Sequence, residues 1–394
     1  MNMNSDQSDG VSWRPPQPSF TTSTNEVIVE RLESQGDATH ASPNLVLLTK
    51  LVRMIVAQNL IEFDFHSHRR ELIGEGATYQ VSRVTVHSFW EQFWGEAKEI
   101  LAAVKIAKLN VGRTFNDIGT NEAERRRLKV VLFELDILAR SDIREHPNIA
   151  SLLGFSWDET AFGYAPCLVM ELATMGTARD FTSSNRTLSD LEKKILCRDV
   201  ACGLHFLHAC GIVQGDVKQD NVLICADNES PAGFVARISD LERCPQNSES
   251  MTYTGTTLYN APEVQSPGHC PPAADTLWLC DVFSFGLLCF EVLADLTWRS
   301  VLETRDHTGR SPIGKCKIVK YRGFTYRIAV LMSVIENQNA LELARATIEK
   351  NWHSSNALRH ICQNLLTVTL AISPSERLPL GWGVALEILG NHKQ

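Results

Sequence analysis

Gly215-Asp216-Val217-Lys218-Gln219-Asp220-Asn221, set just ahead of the apolar run Val222-Leu223-Ile224, is the stretch on which the reading of this chain turns. It places a carboxylate at Asp216, an ammonium at Lys218 and an amide at Asn221, all within reach of one pocket from a single tight loop. Phosphoryl transfer from a nucleotide needs such a set: a carboxylate to accept a hydroxyl proton, a cation for the charge on the moving phosphoryl, and an oxygen ligand for Mg²⁺. Plain acidic surface loops also contain these residue types, so the weight of the heptad depends on what flanks it.

Upstream lies Ile73-Gly74-Glu75-Gly76-Ala77-Thr78-Tyr79-Gln80-Val81, a glycine-rich turn followed by the alternating Val81-Ser82-Arg83-Val84-Thr85-Val86. Two glycines between strands let backbone N–H groups approach phosphates without a Cβ in the way. Taken alone, the turn is also what an ordinary hairpin would have. Lys105 ends the apolar strand Ala102-Ala103-Val104-Lys105, and an inward-facing lysine there demands a counter-charge. Glu134 is the natural partner, on a helix predicted over Glu122 to Ala139 from Leu128, Val131, Leu132, Leu135 and Leu138. Downstream, Asp240 follows the strand-like Val235-Ala236-Arg237-Ile238 and lies 24 residues after Asp216, suited to be a second Mg²⁺ ligand.

The chain has 394 residues, 44% hydrophobic and 21% charged, ordinary for a globular protein with a sizeable core. A net charge of −8 argues against binding nucleic acid by phosphate neutralisation. Eleven cysteines without a Cys-x-x-Cys pair point to reduced thiols in a cytoplasmic or nuclear protein rather than to disulfides or zinc. Residues 1–43, rich in Asn, Ser, Asp, Thr and Pro, read as a disordered leader. Residues 44–67 read as an amphipathic helical extension, with the helix over Asn44 to Ile61. The longest apolar run, Leu277 to Leu296, carries Asp281, Glu291 and Asp295, which suits a buried helix and not a membrane span. Ser189 and Glu192 form a capping-box pair opening a helix to about Ala209, and helices are again predicted over Leu358 to Leu370 and Trp382 to Leu389.

In this order the elements resemble the eukaryotic protein kinases, over residues 68 to about 390. The resemblance implies an α+β, two-lobed fold within a domain at 68–392. A small β-rich lobe with one main helix spans about 68–172, and a larger helical lobe about 173–392. It implies that Gly74 and Gly76, with Ile73, Val81, Ala103 and Leu223, enclose ATP, and that Lys105 holds its phosphates with Glu134 as partner. Met170 stands at the back of the adenine site, and Glu171, Leu172 and Ala173 form the hinge. Asp216 is then the catalytic base, Lys218 the cation at the transferring phosphoryl, and Asn221 and Asp240 the ligands of Mg²⁺ or Mn²⁺. Further matches are Gly255-Thr256-Thr257-Leu258-Tyr259-Asn260-Ala261-Pro262-Glu263, Asp281-Val282-Phe283-Ser284-Phe285-Gly286, and Arg377, placed to pair with Glu263. Lys218 together with Gly255-Thr256 resembles the serine/threonine branch, so a protein serine or threonine hydroxyl is the implied acceptor. Thr256 is expected to hydrogen-bond Asp216 and Lys218.

Three departures stand out. The family's His-Arg-Asp is Gln214-Gly215-Asp216, which removes the cation that grips a phosphorylated activation loop and is expected to lower rigidity. Asp-Phe-Gly is Asp240-Leu241-Glu242, adding a carboxylate beside the metal ligands. The third glycine of the loop is Tyr79, expected to slow loop closure. Two other readings therefore stand beside an active kinase: a nucleotide-binding scaffold that signals by conformation, and a small-molecule phosphotransferase. Ser248, Ser250, Thr252 and Thr254 are candidate phosphorylation sites or plain polar loop residues, and His205 and His208 read as satisfied structural histidines.

Overall fold

The computed structural model describes residues 43–65, 69–88, 99–109, 122–160, 163–184, 186–244, 253, 255–265, 273–303, 319–321, 324–326, 340–378 and 381–390. All of the expected leader but Pro43, and Ser248, Ser250, Thr252 and Thr254, lie outside these residues.

Strands β1 (Ile61–Phe65), β2 (Glu71–Glu75), β3 (Tyr79–Ser88), β4 (Ile100–Ala107), β5 (Leu152–Thr160) and β6 (Gly163–Glu171) form one sheet in the order β1-β5-β6-β4-β3-β2. β3 pairs with β4 along one edge; its other edge is shared, Gln80 to Arg83 by β2 and Val86 to Ser88 by β1. Because β1 also runs parallel to β5, the sheet closes on itself. Closure gives β1 a partner on both edges, while β2 pairs with β3 alone. Its interior is filled by Phe63, Phe65, Val84, Val86, Ala102, Val104, Ile106, Val169 and Cys167.

This corrects the helical extension expected over 44–67. Helix α1 spans Pro43–Ala57 and stops short; Asn59, at φ 47°, turns the chain into β1. Ile61-Glu62-Phe63-Asp64-Phe65 alternates apolar with acidic, the two-residue period of a strand, and Phe63 and Phe65 point into the barrel core. α1 itself packs against α2 (Glu122–Leu138), with Leu51 and Ile55 buried beside the apolar side of α2 in the main core.

Past the hinge, helices dominate. α3 (Asp190–Ala209) starts at Ser189, whose side chain accepts from Glu192 N while Glu192 returns a bond to Ser189 N, the capping box read from the sequence. α4 (Trp278–Ala294) is buried on every side from Leu279 to Ala294, as an all-round apolar helix should be. It is enclosed by α3 and α6 (Asn356–Thr369), with α5 (Ala340–Asn351) and α7 (Trp382–Leu389) packed outside. Among the described residues no helix is long and apolar enough to cross a membrane. Gly286 is where α4 meets α6: a Cβ there would stand 2.4 Å from Thr369 Oγ1. Between the lobes, β7 (Val222–Ala226) and β8 (Phe234–Ile238) form a hairpin that carries the Gly215–Asn221 loop on one side and Asp240 on the other.

Candidate active site

A cavity of about 760 Å³ lies between the lobes. Its roof is Ile73, Gly74 and Gly76 of the β2–β3 turn with Val81, Ala103 and Lys105, its back is Glu134 and Met170, its rim Glu171, Leu172 and Ala173, and its floor Leu223, Asn221 and Asp240. Every residue expected at the nucleotide or the metal therefore faces one space. A Cβ on Gly74 or Gly76 would make only ordinary contacts, at 3.6 Å and 3.8 Å, and neither has a positive φ. Neither packing nor backbone conformation requires glycine at these two positions.

Lys105 enters this space from β4. Its Nζ donates to Glu134 Oε1 at 2.6 Å and to Asp240 Oδ1 at 3.4 Å. Burial works against the ammonium, but the carboxylates of Glu134 and Asp240 outweigh it and push its pKa up. The lysine therefore stays charged throughout the neutral range. Tyr79 turns inward, its ring 4.5 Å from Lys105 Nζ and almost wholly buried. Its bulk joins the core under the turn.

Asp216 stands beside the cavity with its carboxylate held from three directions. Thr256 Oγ1 donates to Oδ1 at 2.6 Å; Lys218 Nζ donates to Oδ2 at 2.7 Å and to Thr256 Oγ1 at 2.8 Å; Asn221 Nδ2 donates to Oδ2 at 3.2 Å. The loop beneath is anchored by Asp281 of α4, which is fully buried. Its Oδ2 accepts from Gln214 N at 2.7 Å, and its Oδ1 accepts from Gly215 N at 3.0 Å and from Tyr253 Oη. Gly215 has φ 81°, a conformation glycine takes without strain. His208 Nδ1 accepts from Trp382 Nε1, so Nε2 carries the proton donated to Asp281. His208 is thus a satisfied structural residue; His205, expected to be one too, is exposed on α3.

The three departures change the interior. Gln214 is fully buried, yet its Nε2 donates to the carbonyls of Ser239 (3.3 Å) and Asp240 (3.1 Å) while its Oε1 accepts from Asp216 N at 2.7 Å. These three bonds link the 215–221 loop to the Asp240 turn. Asp240 adopts the left-handed region (φ 59°), which Asp tolerates better than most residues. Glu242 lines the cavity; burial first, then the neighbouring Asp240 carboxylate, raises its pKa, partly opposed by a hydrogen bond from Thr78 of the glycine-rich turn. Leu241 is wholly buried, in the core with Leu138 and Leu152.

Three contributors were missed in the sequence. Lys108 donates to Glu75 Oε1 and Gly76 O, pinning the tip of the turn. Gln219 is buried and donates to Glu291 Oε2. Arg243 brings its Nε to 3.6 Å from Asp216 Oδ2. None belongs to a periodic pattern, and only the position of Arg243 directly after Asp240-Leu241-Glu242 offered a signal. Farther out, Arg377 forms a two-pronged ion pair with Glu263, at 2.6 Å and 2.9 Å, and also donates to the carbonyls of Ala371, Leu279 and Ile372.

The chain is similar to the serine/threonine-protein kinase CST20 of Candida albicans, 26% identical over 176 residues that cover 44% of this chain and 13% of that protein. It is 27% identical over 277 residues to the serine/threonine-protein kinase RAD53 of Saccharomyces cerevisiae, covering 67% of this chain and 30% of the relative. It is 26% identical over 192 residues to the serine/threonine-protein kinase STE20 of the same yeast, covering 46% and 18%. The similarity thus spans less than a third of each relative's length. The family described as protein kinase domain matches residues 68–381. With a two-lobed fold and a cleft built in that family's order, the chain belongs to the protein kinases.

Proposed function

We propose that this chain is an ATP-dependent protein serine/threonine kinase. The observation that carries the reading is the position of Asp216, at the edge of the nucleotide-sized cavity with Oδ2 committed to Lys218 and Asn221. Oδ1 receives one bond among the described residues, from Thr256, and a carboxylate oxygen has a second lone pair for an acceptor hydroxyl. In this role Asp216 takes up the hydroxyl proton. Lys218 offsets charge on the transferring phosphoryl, and Thr256 keeps the carboxylate oriented. Lys105, held by Glu134, receives the nucleotide phosphates under Gly74 and Gly76. Ile73, Val81, Ala103, Met170 and Leu223 enclose the base, with Glu171 and Ala173 at the hinge.

The oxygens of Asn221 and Asp240 are hard donors of the kind Mg²⁺ prefers. A site with one or two protein ligands, completed by phosphates and water, is its usual form. Mn²⁺ suits the same donors. When bound, the ion neutralises phosphate charge. A protein acceptor is favoured over a small molecule by the Glu263–Arg377 pair, which braces the segment ending in Ala261-Pro262-Glu263. The names of the relatives support a serine or threonine hydroxyl. A cytoplasmic or nuclear setting belongs to the same proposal and rests on the number and spacing of the cysteines.

The test is transfer of labelled γ-phosphate from ATP, with Mg²⁺ or Mn²⁺, by the chain and by its Asp216→Asn variant. Incorporation into protein that depends on Asp216 is the expected result. No incorporation, with ATP still raising the melting temperature, would replace this reading with a nucleotide-binding scaffold.

A further inference from the structure

Arg243 ends the turn that begins at Asp240, and its side chain comes beside the Asp216 carboxylate. Asp240 and Glu242 line the nucleotide cavity, whereas Arg243 does not. Its Nη1 donates to Gly255 O at 3.3 Å, bridging the metal turn to the segment that carries Thr256. The approach of Nε to Asp216 Oδ2, at 3.6 Å, is too long for a hydrogen bond. Asp216 does not depend on it either, since Thr256, Lys218 and Asn221 already engage the carboxylate.

A guanidinium has five N–H donors. Among the described residues one of these is committed, to Gly255 O, and the side chain is 39% exposed. An acceptor hydroxyl must come to within about 3 Å of Asp216, whose carboxylate lies 3.6 Å from the guanidinium. A group adjoining that hydroxyl meets the guanidinium, whose planar fork suits a carboxylate or a phosphate and repels a lysine or arginine. The chain's net charge of −8 would otherwise disfavour anionic acceptors, so a local cation is what could reverse that bias.

We propose that Arg243 is a specificity-determining residue, selecting serine or threonine acceptors with an anionic group, carboxylate or phosphate, directly beside the hydroxyl. This rests on the assignment of Asp216 as the group that meets the acceptor.

The test uses the full chain and serine peptides in which a residue adjoining the acceptor is Ala, Asp, phosphoserine or Lys. Two quantities are read: kcat/KM for phosphate transfer, and peptide affinity by fluorescence anisotropy with a non-hydrolysable ATP analogue, which needs no turnover. Anionic peptides should exceed the Ala peptide about tenfold, the scale of one charge-assisted hydrogen bond. Arg243→Ala should flatten the ranking, Arg243→Lys should retain part of it, and Arg243→Glu should shift it toward the Lys peptide. The Asp and phosphoserine arms separate a carboxylate reader from a phosphate reader. An unchanged ranking in Arg243→Ala, or an equal loss for all four peptides, would overturn the proposal. If the wild-type chain transfers phosphate to none of them, the kinase reading fails, and the anisotropy ranking still decides the role of Arg243.

Discussion

Asp216, Gln214 and Lys105 carry the site's energetics at the scale of single residues. Asp216→Asn keeps the size of the side chain but not its basicity. Turnover should fall by roughly 10²-fold or more, as on loss of a positioned base. ATP should still raise the melting temperature of the variant, because Asp216 stands outside the cavity lining. Gln214→Leu would strand Asp216 N and the carbonyls of Ser239 and Asp240 in the interior. Leaving buried polar groups unsatisfied costs about 1–3 kcal/mol each, so urea denaturation should report a loss of at least that order. The pairing of Lys105 with Glu134 could be read in advance because an inward lysine on an apolar strand must find a carboxylate. The bonding of Gln214 could not: an amide both donates and accepts, and its sequence neighbours do not say which carbonyls will be near.

At the scale of elements, two contacts can be tested by what they exclude. Gly154 on β5 lies against β1, where a Cβ would stand 2.1 Å from Ile61 O. Gly154→Ala should push β1 from its place at a cost of about 1–3 kcal/mol, as other overpacking changes do. Faster amide exchange confined to residues 61–65 and their partners would identify that cause; no change there would mean β1 is not needed to close the sheet. In the larger lobe, Glu263→Ala leaves the buried Arg377 guanidinium without its carboxylate. Breaking a buried pair from one side costs about 3–5 kcal/mol, which thermal unfolding should register. The capping box at Ser189 was legible because it is local, three residues apart. The pairing of β1 with β5 joins residues some ninety positions apart. The alternation from Ile61 to Phe65 is visible, but as five residues trailing a helix it falls within the helical extension expected over 44–67.

For the molecule as a whole, the cysteines give a prediction that depends on no assigned role. Burial pushes the Cys225 thiol up to about 11, and burial followed by their neighbours also raises the Cys244 and Cys289 thiols. A raised thiol pKa means that the unfolded chain releases its protons first as pH climbs. Stability should therefore be insensitive to these groups below pH 9, the value for an unshifted thiol, and decline above it. At pH 8 these three positions should resist alkylation in the folded chain and react in denaturant, as read by peptide mass mapping. Modification of the native chain at Cys244 or Cys289 would contradict their burial.

Residue types, their order and their short spacings determined much by themselves: a loop with Asp216, Lys218 and Asn221, a glycine-rich turn, and a largely apolar helix around Asp281. These depend on local chemistry, since backbone preferences and hydrophobic periodicity act over a few residues. Only the tertiary structure decided that β1 closes the small sheet, that Tyr79 folds inward over Lys105, that Gln214 ties the two site loops together, and that Arg243 stands beside Asp216. Each brings together groups distant in sequence or depends on which way a side chain turns, and those are settled by packing against the rest of the chain.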